Sequence, residues 1–145
     1  MNHKSFSSRQ KFEFISKSDV LKYLQNKIHL SKIETIYDFT VDEWNKNQKN
    51  IIQLISKKFN SNVIVRSSAI GEDSLESSQA GNFESVLDVN PNSKNSIKNA
   101  ISSVIQSYEI AGFSNKKNQI LIQNQSKNII VSGVIFTRRP ELASP

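Results

Sequence analysis

The residues with chemical potential in this chain gather between Asn62 and Val89, in NVIVRSSAIGEDSLESSQAGNFESVLDV. The apolar run Val63-Ile64-Val65 stops at Arg66, Ser67 and Ser68 stand beside it, and Gly81 opens the next apolar stretch. An arginine leaving the C-terminal end of a buried strand sits where α/β proteins place groups that face a ligand cleft. Its guanidinium is a planar fork of donors that suits phosphate better than any other side chain, and the two hydroxyls add donors. A glycine turn lets the backbone approach the same ligand, and its amides can form an anion nest. The same residues also have a purely structural use: Arg66 can pair with Glu72 or Asp73, and Gly71 and Gly81 can be turn glycines. The pattern is not a P-loop, because no Gly-Lys-Ser or Gly-Lys-Thr occurs, and it is not the dinucleotide fingerprint.

Other chemistries are restricted by what the chain contains. With no cysteine, a disulfide framework, a zinc-thiolate site and a cysteine nucleophile are excluded. His3 lies in a polar N-terminal stretch and His29 in a polar helix-loop region, so both read as surface histidines and not as nucleophiles. Glu72, Asp73, Glu84 and Asp88 are carboxylates near the phosphate candidates, but they do not make a complete metal site, and no metal ligand set is expected. The formal charge of +6 favours anionic partners. The lysines are scattered, however, and lack the aromatic interleaving of a nucleic-acid module, so a small basic RNA- or DNA-binding module is the competing class and no nucleic-acid partner is expected.

These residues have to be positioned by one domain, since 145 residues with 37% hydrophobic content suit a single modest core. Residues 1–11 read as a flexible N-terminus and 12–145 as the domain. The alternation Phe12 to Ile15 predicts a strand, and Ser18 to Leu24 a helix, with Lys17 at the junction. Residues 31–39 are ambiguous between strand and loop. Thr40-Val41-Asp42-Glu43 is a capping box that opens a helix to about Lys58, with Val41, Trp44, Ile51, Ile55 and Phe59 on its apolar side. Asn62 to Ser67 predicts a buried strand and Phe83 to Val89 a second, whose alternation groups Phe83, Ser85, Leu87 and Val89 on one face. Ile97, Ala100, Ile101, Val104, Ile105 and Tyr108 mark a helix capped by Ser93 and ending near Gly112. Strands are predicted at Gln119 to Gln123 and Ile129 to Phe136, and the mixture predicts an α+β, or mixed α/β, fold. No apolar run approaches the ~20 residues of a membrane span, and the start lacks a secretory signal, so a soluble cytoplasmic protein without a membrane partner is expected.

Several of these stretches together resemble a known family. Val65-Arg66-Ser67-Ser68-Ala69, Glu72-Asp73, Ser78-x-Ala80-Gly81 and Phe83-x-Ser85-x-Leu87-x-Val89 resemble the N-terminal nucleotide-binding region of the phosphoenolpyruvate synthase and pyruvate phosphate dikinase family. Ser132-Gly133-Val134-Ile135-Phe136-Thr137-Arg138, followed by Pro140, is similar to that family's second signature. The resemblance implies a partial ATP-grasp domain that holds ATP between two subdomains. It implies that Arg66 contacts the phosphates as the catalytic cation, with Ser67 beside it, and that the Gly81 turn with Asn82 closes over them. It places Lys17 where the family has a phosphate-binding lysine, although the glycines of the family's Gly-Gly-Lys-Gly are replaced here. It also places Ile122 to Gln125, including Gln123, on an adenine-binding hinge strand. Arg138 and Arg139 cannot both face one site in an extended segment, and Arg138 holds the family position.

The resemblance further implies a longer phosphotransferase, of which this chain is the ATP-binding portion and inactive alone. ATP is the expected cofactor, with Mg²⁺ in the full-length protein. The phosphoryl group would pass through a phosphohistidine in other domains to pyruvate or another small acceptor. The replaced glycines point to a divergent kinase branch, for which an amide acceptor such as glutamine is the alternative.

Overall fold

A computed structural model of the protein describes residues 16–70 and 83–133. In chain order these form α1 (Lys17–Gln25), β1 (Ile36–Thr40), α2 (Val41–Lys58), β2 (Val63–Ser68), β3 (Ser85–Val89), α3 (Lys94–Ile110) and β4 (Gln119–Asn124). The strands make one sheet in the order β1-β4-β2-β3, and every neighbouring pair is antiparallel. The expected mixture of helix and strand is present, in the α+β form. No described helix is long and apolar enough to cross a membrane. The expected flexible N-terminus, the strand predicted at Phe12 to Ile15, and the Gly81, Asn82 and Arg138 positions lie outside the described residues.

The helices begin where the sequence says they should. Thr40 Oγ1 accepts from the Glu43 amide at 3.1 Å, and the Glu43 carboxylate accepts from the Thr40 amide at 2.7 Å, which completes the capping box of α2. The helix is kinked at Asn47, whose φ and ψ of −136° and 34° leave the helical region, and its buried side carries Trp44, Ile51, Ile52 and Ile55. Ser93 caps α3. At the other end of α3, Gly112 has φ +73°, its amide donates to Glu109, and the Phe113 amide donates to Tyr108 at 2.8 Å, a Schellman termination that needs a residue free of Cβ strain.

α2 and α3 cover one face of the sheet. Ile55, Ile97, Ile101, Val104, Val63, Val65, Ile120 and Ile122, all fully buried, interlock there with Phe39, Trp44 and Phe59. The Tyr108 hydroxyl is built into this core: it accepts from the Ser68 amide at 2.9 Å and donates to the Gln119 carbonyl at 2.5 Å, closing the last rung between β2 and β4.

Two predicted strands are corrected. In β3 the inward residues are Val86 and Val89, while Leu87 is 58% exposed, because Asp88 takes a left-handed conformation (φ 56°) and inserts an extra residue between the Val65–Val86 and Val63–Val89 pairs. This bulge switches the phase of the alternation, which simple period-two counting does not foresee. The strand predicted from Ile129 is absent through residue 133, where Ile129, Ile130 and Val131 are 64%, 96% and 85% exposed. A β-branched run has strand propensity but becomes a strand only against a partner's hydrogen bonds, and the described residues supply none there. Residues 31–39, ambiguous in the sequence, end in β1, whose Ile36 to Thr40 pair with Gln123 to Gln119.

Candidate functional site

Strand alternation gives the sheet two faces. Val63, Val65 and Ser67 of β2 point toward α2 and α3 with Ile120 and Ile122 of β4. Ile64, Arg66 and Ser68 point the other way, beside Gln119, Leu121 and Gln123 of β4 and Asp38 of β1. Arg66 therefore stands on the face that α2 and α3 leave open, between its partners Leu121 and Ser85. Its Nε is buried and has no hydrogen-bond acceptor among the described residues. A buried guanidinium nitrogen without an acceptor is costly, and the cost is relieved by an anion that brings its own oxygen.

α1 lies across one end of this open face and fixes its border. The Ser18 amide donates to Ser68 Oγ at 2.9 Å, and Ser16 Oγ is 2.7 Å from both Gln119 Oε1 and Asp19 Oδ2, so its one proton serves one of them at a time. Ser18 Oγ also donates to Gln119 Oε1. Farther along, Lys22 Nζ meets Asp38 at 2.7 Å, so the helix runs from the β2–β4 seam toward β1. Lys17, the first residue of α1, is thereby held at the Ser68 and Gln119 end of the same face as Arg66. Gln123 shares that face two residues along β4 from Leu121, which puts it roughly 8 Å from Arg66 by strand spacing.

The structure thus places Arg66 and Gln123 on one face of the sheet, with the start of α1, where Lys17 stands, at the Ser68 and Gln119 end of it, and it does not bring Ser67 there. Ser67 is 2% exposed and points into the helix-covered side, while its neighbour Ser68 shares the Arg66 face. The backbone of the expected hinge, Ile122 to Gln125, is also committed elsewhere. β4 is flanked by β1 and β2, and the Asn124 and Gln125 amides donate to the carbonyls of Thr35 and Asn62 at 3.0 and 3.1 Å. A base lying there would meet the Gln123 and Gln125 side chains and not free backbone donors.

Sequence reasoning missed the part played by Ser16, Ser18 and Gln119, which seat α1, and no local pattern announces contacts across a hundred residues. The choice between Ser67 and Ser68 was legible, because residues i and i+2 of a strand share a face. Among the described residues no three of His, Asp or Glu converge on a point. Tyr37 is the described phenol whose pKa is raised, first by burial and then by the Glu43 and Asp38 carboxylates, so it stays protonated near neutrality and cannot act as a base. A groove of about 450 Å³ lined by Gln48, Lys49, Ile52, Gln53, Lys94 and Lys98 belongs to the α2 and α3 layer, across the sheet from Arg66.

Comparison with curated proteins and with solved structures gives no match. Comparison with protein families gives one over residues 9–143, nearly the whole chain, to the pyruvate phosphate dikinase AMP/ATP-binding domain. The match covers well over half of the chain, and the chain belongs to the pyruvate phosphate dikinase AMP/ATP-binding domain family.

Proposed function

We propose that the chain binds ATP along the open face of its sheet and is the ATP-binding portion of a phosphoenolpyruvate-synthase-like phosphotransferase with an ATP-grasp architecture. The observation that carries this reading is the buried Arg66 Nε, which lacks an acceptor among the described residues and lies on the face left open by α2 and α3; Glu72 and Asp73 lie outside the described residues. Arg66 takes a phosphate oxygen, and its fixed charge spreads the negative charge that develops on a phosphoryl group in transfer. Lys17 adds a second positive charge from the start of α1, and Gln123 offers an amide to the nucleoside end. Gly81, Asn82 and Arg138 complete the phosphate contacts in this reading on the strength of the family resemblance. Mg²⁺ would accompany ATP in such chemistry and neutralise part of the phosphate charge.

Catalysis in this scheme is positioning and charge, so the chain's own residues bind and orient the triphosphate. The phosphoryl group then leaves for a histidine and an acceptor in other domains, pyruvate or an amide such as glutamine. Calorimetric titration of the chain with ATP tests the binding. Arg66→Ala is expected to weaken ATP by about 10- to 100-fold, the worth of a charge-assisted hydrogen bond, and equal affinity in the variant would remove Arg66 from the site.

A further inference from the structure

On the far side of the sheet from Arg66, the fold gathers lysines that the sequence keeps apart. Ser56 Oγ donates to the Pro91 carbonyl at 2.6 Å, which pins the end of α2 beside the start of α3. Lys94 and Lys98 stand one turn apart on α3, as Lys49 and Gln53 do on α2, and together with Gln48 and the buried Ile52 they line a groove of about 450 Å³. No carboxylate lines it. The carboxylates of α2, Asp42 and Glu43, lie in its first turn and are engaged there with Lys46 and Thr40. The carboxylate of α3, Glu109, is near the far end of that helix, about 16 Å beyond Lys98 along the axis. Among the described residues none of the three lysines forms an ion pair. A cation in the first turn of a helix opposes its dipole, and like charges at i and i+4 repel, so the groove holds a positive field that the described residues leave uncompensated.

We propose that this groove is a binding site for a small polyanion, a compound carrying two or more phosphate or carboxylate charges, and that it works apart from the Arg66 face. The inference does not rest on the ATP-binding reading. The groove's volume falls within the roughly 300–1,000 Å³ of small-molecule sites. Three ammonium groups on flexible stems act as point charges and take phosphate and carboxylate alike. The Gln48 and Gln53 amides offer both donors and acceptors to hydroxyl or ester oxygens, and Ile52 gives a carbon body an apolar contact. No aromatic side chain lines the groove, so a base has nothing to stack on there, which favours a compact anion over a single-stranded nucleic acid.

The test follows the backbone amide resonances of the whole chain during titration with inorganic pyrophosphate and, separately, with citrate, which tell a phosphate ligand from a carboxylate one. Saturable shifts at residues 48–53 and 94–98 that share one dissociation constant are expected with at least one of the two probes. Replacing Lys94 and Lys98 together by glutamine is expected to weaken that binding about 10-fold, the worth of two exposed charge contacts. Gln53→Glu supplies the missing carboxylate and is expected to weaken it by a similar factor. All three positions are exposed, so the fold is kept. Lys57→Gln with Lys58→Gln removes as much charge outside the groove and is expected to leave the affinity within about twofold. An equal loss in that control, shifts that stay on the Arg66 face, or shifts that fail to saturate with either probe would overturn the site. So would a single-stranded oligonucleotide that engages these lysines when neither small anion does.

Discussion

The two faces of the sheet are built from alternating residues of the same strands and do opposite work. On the covered face, Val63, Val65, Ile120 and Ile122 are fully buried against α2 and α3, and among the described residues the Asn124 Oδ1 beside Val63 is a buried polar atom without a partner. On the other face, Arg66 keeps an Nε with no acceptor among the described residues, Leu87 is 58% exposed, and α1 reaches from Ser68 and Gln119 to Asp38. One face is packed against α2 and α3, and the other carries Arg66 outside that packing. In the proposed reading the first face governs stability and the second ATP binding, and substitutions should separate the two.

The largest expected effect is on the covered face. Ile101, fully buried in α3, should cost about 2–5 kcal/mol when replaced by alanine, read as a lower urea midpoint, because the cavity adds to the lost transfer energy. ATP affinity measured well below that midpoint should stay within twofold of wild type, as a roughly unchanged site implies; a large selective loss of affinity would erase the division between faces.

Tyr108→Phe is expected to be smaller and sharper. It strands the Ser68 amide and the Gln119 carbonyl at the end of the β2–β4 pair, a loss of about 1–3 kcal/mol for leaving buried polar groups unmet. Hydrogen exchange should accelerate at Ser68 before the middle of β2, and uniform acceleration along the strand would show that the hydroxyl is not a local closure.

The smallest effect is at alkaline pH. The Tyr37 pKa is raised in the folded protein, chiefly by burial and then by Glu43 and Asp38, so the folded state holds its proton more tightly than the unfolded chain. Its contribution is fully present below the unfolded value of about 10 and is lost as pH rises through the higher folded value. Tyr37→Phe should flatten that alkaline decline in a pH series of unfolding midpoints, and an unchanged decline would assign it to other groups.

How much of this was legible in the sequence depended on whether the cause was local. The capping box of Thr40 and Glu43, the Ser93 cap and the glycine stop at Gly112 act through neighbours in the chain, and all are found where the sequence puts them. The phase of β3 was not legible, since the Asp88 bulge is held by Gln125 from beyond β4. The candidate site divides in the same way. Arg66 could be named from its place at the end of an apolar run, and alternation puts Ser68 and not Ser67 on its face, whereas which side of β2 the helices cover depends on the fold. The seat of α1 on Gln119 depends on the fold alone.

The central claim, that Arg66 serves a ligand and not the fold, is tested most directly by urea unfolding of the wild-type chain and Arg66→Ala, each with and without saturating ATP. The account predicts equal midpoints without ATP. It predicts a gain of about 2.7 kcal/mol for the wild type at a ligand concentration 100 times its dissociation constant, and much less for the variant at that same concentration. A variant that is markedly less stable without ATP, or that gains as much from ATP as the wild type, would contradict it.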